Sequence, residues 1–173
     1  TVVFQEKLGT VYEKVNRVSE IVKQLTTYID LTNEEKECAI RAAEICKFDL
    51  VTNMVNEFPE LQGVIGEKYA RHYGEDDAVA VAIKEHYYPL QANGKLPETK
   101  IGAIVSVADK LDTVIGTISV GLTPTGSQDP YGLRRQTIGM LRIVKENNWN
   151  ISIEQLVSIG KKFHDTSSYD DEL

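Results

Sequence analysis

The sequence predicts an all-α protein built around a single compact helical domain, and three observations carry that prediction. Apolar residues recur at steps of three and four along most of the 173 residues, which is the period of an amphipathic helix. Two helix-start words, Thr32 with Glu35 and Ser152 with Gln155, have the spacing at which a side chain and a backbone N–H cap each other. No stretch alternates convincingly between apolar and polar residues, as a half-buried strand would.

Taken in order, Phe4, Leu8, Val11, Val15, Val18, Val22, Leu25 and Ile29 form one apolar stripe. The stripe predicts a long helix from about residue 4 to about residue 30, facing a core rather than a coiled-coil partner because Ile21 widens it. A second helix follows Thr32 and carries Cys38, Ile40 to Ala43, Ile45 and Cys46 towards Asp49. Phe58-Pro59 breaks it, since a residue before proline avoids the helical region. A short helix is expected over 60–72. The acidic turn at 74–77 suits the start of the next helix, which runs to about Tyr88 and stops at Pro89. Asn93-Gly94 marks a loop tip. A long apolar helix is expected over 100–120, a surface loop over 121–130, and a helix over 131–146 capped by Asp129 with Pro130 at its first position. A last short helix follows Ser152. The expected division is a helical domain over 1–146 and a C-terminal extension over 147–173 whose acidic end, from Tyr169 on, frays.

The formal net charge is −7. A stand-alone RNA-binding domain is usually basic, because phosphate neutralisation supplies most of its affinity. Any RNA contact must therefore run through a local patch or through a larger basic assembly. Cys38 and Cys46 lie eight residues apart on one predicted helix, too far along its axis at about 1.5 Å per residue to pair with each other. They read as partly buried thiols in a reducing compartment. No apolar run approaches the about 20 residues that cross a bilayer. With Thr1 first and no basic-then-apolar leader, the expectation is an excised piece of a soluble intracellular protein, cytoplasmic and without a membrane partner.

The residues that carry chemistry are few. Asp109 lies inside the apolar run Val107-Ala-Asp-Lys-Leu-Asp-Thr113, and a carboxylate there needs a partner. Lys47 and Lys110 stand near Asp49 and Asp109 in sequence, and ionic pairs with them would satisfy such carboxylates. Arg134 and Arg135 are adjacent, about 100° apart on a helix. An arginine fork matches phosphate oxygens, but a salt bridge to Asp129 or to an inward Asp112 is the plainer role. Arg71-His72-Tyr73 and the stretch 84–88 combine cations with rings that can stack on unpaired bases, and those same tyrosines serve equally well in helix packing. The loop over 123–130 lacks the lysine and glycine spacing of a P-loop. His164 reads as a surface residue.

Several words in one order resemble a known family. They are FQEKLGT at 4–10 with Arg17, AAEICKFDLVTNMVNEFPELQGVIG at 42–66, Tyr69-Ala70, Gly74-Glu75, VAVAIKEHYYP at 79–89, Leu96-Pro97, and the region 107–135 with its PTGSQDPYGLRR. Together they cover roughly residues 4–145, and they resemble the HD-like helical domain of the bacterial glycyl-tRNA synthetase beta subunit. By that resemblance Asp109, in Ala108-Asp109-Lys110-Leu111, matches the closing aspartate of an HD site. Asp49 matches the aspartate of the His-Asp pair, Phe48 stands where its histidine belongs, and His86 resembles a later histidine of some HD proteins. Two carboxylates and one imidazole make a poor transition-metal site. The resemblance therefore implies a degenerate site at Phe48, Asp49 and Asp109, with no metal and no catalytic residue.

The resemblance further implies a fragment of glycine–tRNA ligase whose partners are glycine tRNA, the alpha subunit and the remainder of the beta subunit. ATP and Mg would be used by the alpha subunit, with no cofactor in this fragment. Arg71, Lys84, His86, Lys110, Arg134 and Arg135 are the tRNA-binding candidates. Two alternatives stay open: a metal-dependent HD phosphohydrolase using His86, Asp49 and Asp109, and a purely structural module packed on the rest of its subunit.

Overall fold

The first helix starts at Val11, capped by Thr10, and not at Phe4. In the computed structural model, which describes residues 3–169, 171 and 173, two short antiparallel strands come first, β1 (Val3–Gln5) and β2 (Gly9–Thr10). This corrects the helix expected over 4–10 and adds a hairpin to an otherwise helical fold. Gly9 sits at φ +84°, a left-handed conformation that glycine adopts without steric cost and that ends any helical path. Thr10 then closes a capping box. Its Oγ1 accepts the Glu13 N–H at 3.1 Å, while the Glu13 carboxylate accepts the Thr10 N–H at 2.7 Å.

α1 (Val11–Leu25) buries Val18, Ile21, Val22 and Leu25. It ends at Leu25 rather than near Asp30, because Thr26 and Thr27 turn their hydroxyls onto the carbonyls of Lys23 and Gln24. Such local bonds compete with helix continuation. α2 (Asn33–Ile45) begins at the expected Thr32–Glu35 box. A 3-10 turn (Phe48–Val51), α3 (Asn53–Glu57) and a second 3-10 turn (Pro59–Leu61) lead to α4 (Val64–His72). α4 starts later than the expected 60–72 because Gly63 lies at φ +82°.

α5 (Asp77–Glu85) is followed by α6 (Lys100–Ser119), α7 (Leu133–Glu146) and α8 (Ile153–Lys161). α7 starts at Leu133 instead of Tyr131. Left-handed Gly132 precedes it, and Asp129 caps it from outside by accepting the N–H groups of Leu133 at 2.8 Å and Arg134 at 2.9 Å.

α6 is buried on every side from Ile101 to Thr117, so the charged side chains it carries must find partners inside the fold. It forms the axis against which α1, α2, α5, α7 and α8 pack. α8 contributes Leu156 and Ile159 to that core. Of the acidic end from Tyr169 on, Asp170 and Glu172 lie outside the described residues. No described helix is long and apolar enough to cross a membrane.

Candidate functional site: a charge cluster beneath a cleft

Asp109 and Asp112 are three residues apart on α6 and so share one face of it. That face meets α1 at Lys14, which is 1% exposed. The Lys14 Nζ lies 2.8 Å from Asp112 Oδ2 and 3.3 Å from Asp109 Oδ1, and donates to Thr113 Oγ1 at 2.9 Å. Lys47, just past α2, reaches Asp109 Oδ2 at 3.1 Å and stands 4.2 Å over the ring of Tyr87. Arg17 Nε and His164 Nε2 each approach Asp112 Oδ1 at 2.8 Å. Burial alone would raise both carboxyls. Lys47 and Lys14 beside Asp109, and Lys14, His164 and Arg17 beside Asp112, more than offset it and hold both well below the usual carboxylate range.

The expected lysine–carboxylate pair thus forms between Lys47 and Asp109. Asp49 has none. It accepts the Gly63 N–H at 2.7 Å and the Tyr87 hydroxyl at 3.4 Å, and burial raises its carboxyl despite those bonds. Phe48 turns towards Tyr69, with ring centroids 5.9 Å apart. His86 has no exposed surface. Its Nδ1 bonds the Ile83 carbonyl, which makes Nδ1 the protonated nitrogen, and its Nε2 has no partner. Burial, aided by Lys47, lowers its pKa well below the ordinary histidine value, so the ring is neutral.

These donors do not fit a resident metal ion. Both oxygens of Asp109 face ammonium groups, and Asp49 is committed to Gly63 and Tyr87. Among the described residues no three His, Cys, Asp or Glu side chains converge.

Above the cluster opens a cleft of about 580 Å³. Lys14, Lys47, Asp109 and Lys110 line it, together with Tyr131 and Arg135. Lys110 is 4% exposed. It donates to Ser106 Oγ at 2.8 Å, to the Tyr88 carbonyl at 2.9 Å and to the His86 carbonyl at 3.4 Å. Burial lowers its pKa to about 8. Arg135 is exposed and donates to the Leu90 carbonyl at 3.2 Å.

The six tRNA-binding candidates therefore separate. Lys110 and Arg135 meet at the cleft. Arg134, also exposed, faces an apolar groove with Val114, Ile118 and Pro124 instead. Arg71 pairs with Glu67 at 3.0 Å and with Asp77, and Lys84 lies 3.9 Å from Glu67. His86 offers no surface to a macromolecule. Neither arginine of the pair bridges to Asp129 or Asp112, because the first caps α7 and the second is taken by α1 and His164.

Sequence reasoning missed Lys14 and misplaced His164. Lys14 stands three residues after Val11 and four before Val18. A charge inside an apolar stripe is a signal in itself. His164, expected at the surface, has a side chain only 6% exposed. The segment after α8 folds back so that its ring rests on Gly116, where a Cβ would stand 2.7 Å from His164 Cε1. No local pattern announces such a return.

Comparison with known proteins gives one consistent answer. The family model described as glycyl-tRNA synthetase beta subunit matches residues 1–172. A glycine–tRNA ligase beta subunit of Oceanobacillus iheyensis is 58% identical over 159 residues, covering 92% of this chain and 23% of that protein. The corresponding protein of Bacillus subtilis is 53% identical over 157 residues, covering 91% and 23%, and that of Streptococcus agalactiae is 54% identical over the same span. The chain spans less than a quarter of the length of these relatives.

Proposed function

The chain belongs to the glycyl-tRNA synthetase beta subunit family, and from that membership we propose that it is a segment of a cytoplasmic glycine–tRNA ligase that supports tRNA during aminoacylation. In this proposal the segment has the HD-superfamily helical fold with its metal chemistry replaced by lysines. Adenylation, with ATP and Mg, belongs to the alpha subunit. The alpha subunit, glycine tRNA and the remainder of the beta subunit are its partners.

The observation that carries the tRNA role is the mouth of the cleft. In a chain of net charge −7, Arg135 and Lys110 have no carboxylate partner among the described residues and sit together at an accessible depression. Arginine beside a buried lysine is suited to phosphate oxygens. The test is a salt titration of glycine-tRNA binding by the full-length enzyme, with Arg134→Ala/Arg135→Ala alongside. A lost phosphate contact lowers the slope of log K against log salt by about 1. An unchanged slope and affinity in the double variant would remove the arginines from the RNA interface. A packing role is the second reading. It is favoured by the apolar groove of Val114, Ile118, Pro124 and the 46%-exposed Ile138.

A further inference from the structure

We propose that the cleft over α6 is a binding site for a phosphate monoester of nucleotide size, gripped by Arg135 and Lys110 without a metal ion.

The charge inventory favours a dianion. Lys14, Arg17, Lys47, Lys110 and Arg135 gather around Asp109, Asp112 and the rim residue Glu60. Asp49 is outside the cleft lining and already satisfied by Gly63 and Tyr87. Asp109 is shared between two lysines and Asp112 between Lys14, Arg17 and His164. Neither Lys110 nor Arg135 forms an ion pair among the described residues, and Glu60, exposed at the rim, pairs with neither. Lys110 hydrogen-bonds only neutral acceptors, so its ammonium is buried without a direct ion pair, an expensive arrangement, and the Asp109 charge that it feels is already shared between Lys14 and Lys47. The basicity of Lys110 fits this account. Burial, with Lys47, Arg135 and Lys14 nearby, lowers it to about 8 against the pull of Asp109. An anion between Lys110 and Arg135 supplies the missing charge.

The shape fits as well. The volume of about 580 Å³ falls within the about 300–1,000 Å³ of ordinary small-molecule sites. The rings of Phe4 and Tyr87 are occupied by the ammonium groups of Lys14 and Lys47. Tyr131, 39% exposed on the cleft wall, keeps a free face for a base or a sugar. A phosphate monoester carries more charge than an internal phosphodiester and can enter a depression end-on. Its source is either a free nucleotide or the 5′ end of an RNA.

The experiment is calorimetric titration of the full-length holoenzyme with inorganic phosphate, AMP and adenosine, in the wild type and in Arg135→Ala and Lys110→Met. Arg135 makes one hydrogen bond, to a surface carbonyl, so its removal leaves the fold intact even if Lys110→Met does not. The signal is the heat that Arg135→Ala removes, which cancels binding elsewhere in the assembly. The expected result is phosphate and AMP binding at this site weakened at least tenfold by Arg135→Ala, with no such component for adenosine. Identical phosphate and AMP isotherms in wild type and variants would overturn the proposal.

A second arm compares tRNA with and without its 5′-terminal phosphate. A difference that Arg135→Ala abolishes assigns the site to the RNA end, and equal affinities assign it to a free nucleotide. The inference goes beyond the tRNA role and does not depend on it. AMP binding lost in Arg135→Ala with an unchanged tRNA salt slope keeps the cleft ligand and dismisses the arginine from RNA binding. The reverse pattern keeps the RNA role and dismisses the ligand.

Discussion

Asp109→Asn is the sharpest probe of the charge cluster. The substitution keeps shape and one oxygen acceptor but removes the charge that Lys47 meets at 3.1 Å and Lys14 at 3.3 Å. Breaking a buried ion pair by deleting one partner costs about 3–5 kcal/mol. Lys14 keeps Asp112 and Thr113, so its loss is partial. Lys47 keeps the Tyr87 ring and the longer-range attraction of Asp49, and its side chain is 7% exposed, too little to escape into water. The expected cost is therefore at the lower end, about 3 kcal/mol, which for a domain of this size lowers the melting temperature by about 6–12 °C. Thermal unfolding near neutral pH by circular dichroism measures it. A cycle with Lys47→Met isolates the pair, with an expected coupling of about 1–3 kcal/mol. A melting temperature for Asp109→Asn within about 2 °C of the wild type, less than about 1 kcal/mol by the same conversion, would refute the pairing energetics.

Acid should weaken the fold through the same groups. Asp109 and Asp112 are held below the usual carboxylate range, so their pairing contributes fully above about pH 4 and is lost as the pH falls further. Denaturant unfolding should show stability dropping below about pH 4, and dropping less in Asp109→Asn. Lys110 gives the opposite limb. Its folded pKa of about 8 lies below the ordinary 10.5, so the unfolded chain binds the extra proton between those values. Wild type should then gain stability relative to Lys110→Met as the pH rises across that window, and parallel pH profiles would contradict it. Gly116→Ala would push the His164 ring off Asp112, at a cost of about 1–3 kcal/mol for overpacking; a variant as stable as the wild type would show that the C-terminal return can yield.

Where local chemistry sets an element, the sequence announced it. The Thr32 and Ser152 boxes mark the starts of α2 and α8. The long apolar run announced a helix over 100–120, and α6 spans Lys100–Ser119. Where two local signals conflict, the wrong one was easier to see. The step from Phe4 to Leu8 has helical spacing, but Gly9 and the Thr10–Glu13 box override it. Lys14 interrupts the apolar stripe between Val11 and Val18, and only the packing of α1 on α6 shows which carboxylates it meets. The partner of Asp109 was legible because a carboxylate in an apolar run must find one. That Asp112 also binds Arg17 and His164 depends on residues 95 and 52 positions away, which only the tertiary fold brings together.

The cluster also explains how the cleft can be shaped before any ligand arrives. Two carboxylates on α6 tie down α1 through Lys14 and Arg17, the end of α2 through Lys47, and the C-terminal segment through His164. Desolvating so many charges makes this an inefficient source of stability. What it supplies is geometry. An ammonium group bonded to two carboxylates has little freedom, so the cationic floor is fixed, and α6 carries Lys110 at a set height beside it. Arg135 reaches the same cleft from α7. An anion entering there would order one exposed arginine rather than reorganise a pocket, and a preorganised site loses less of its interaction energy on binding.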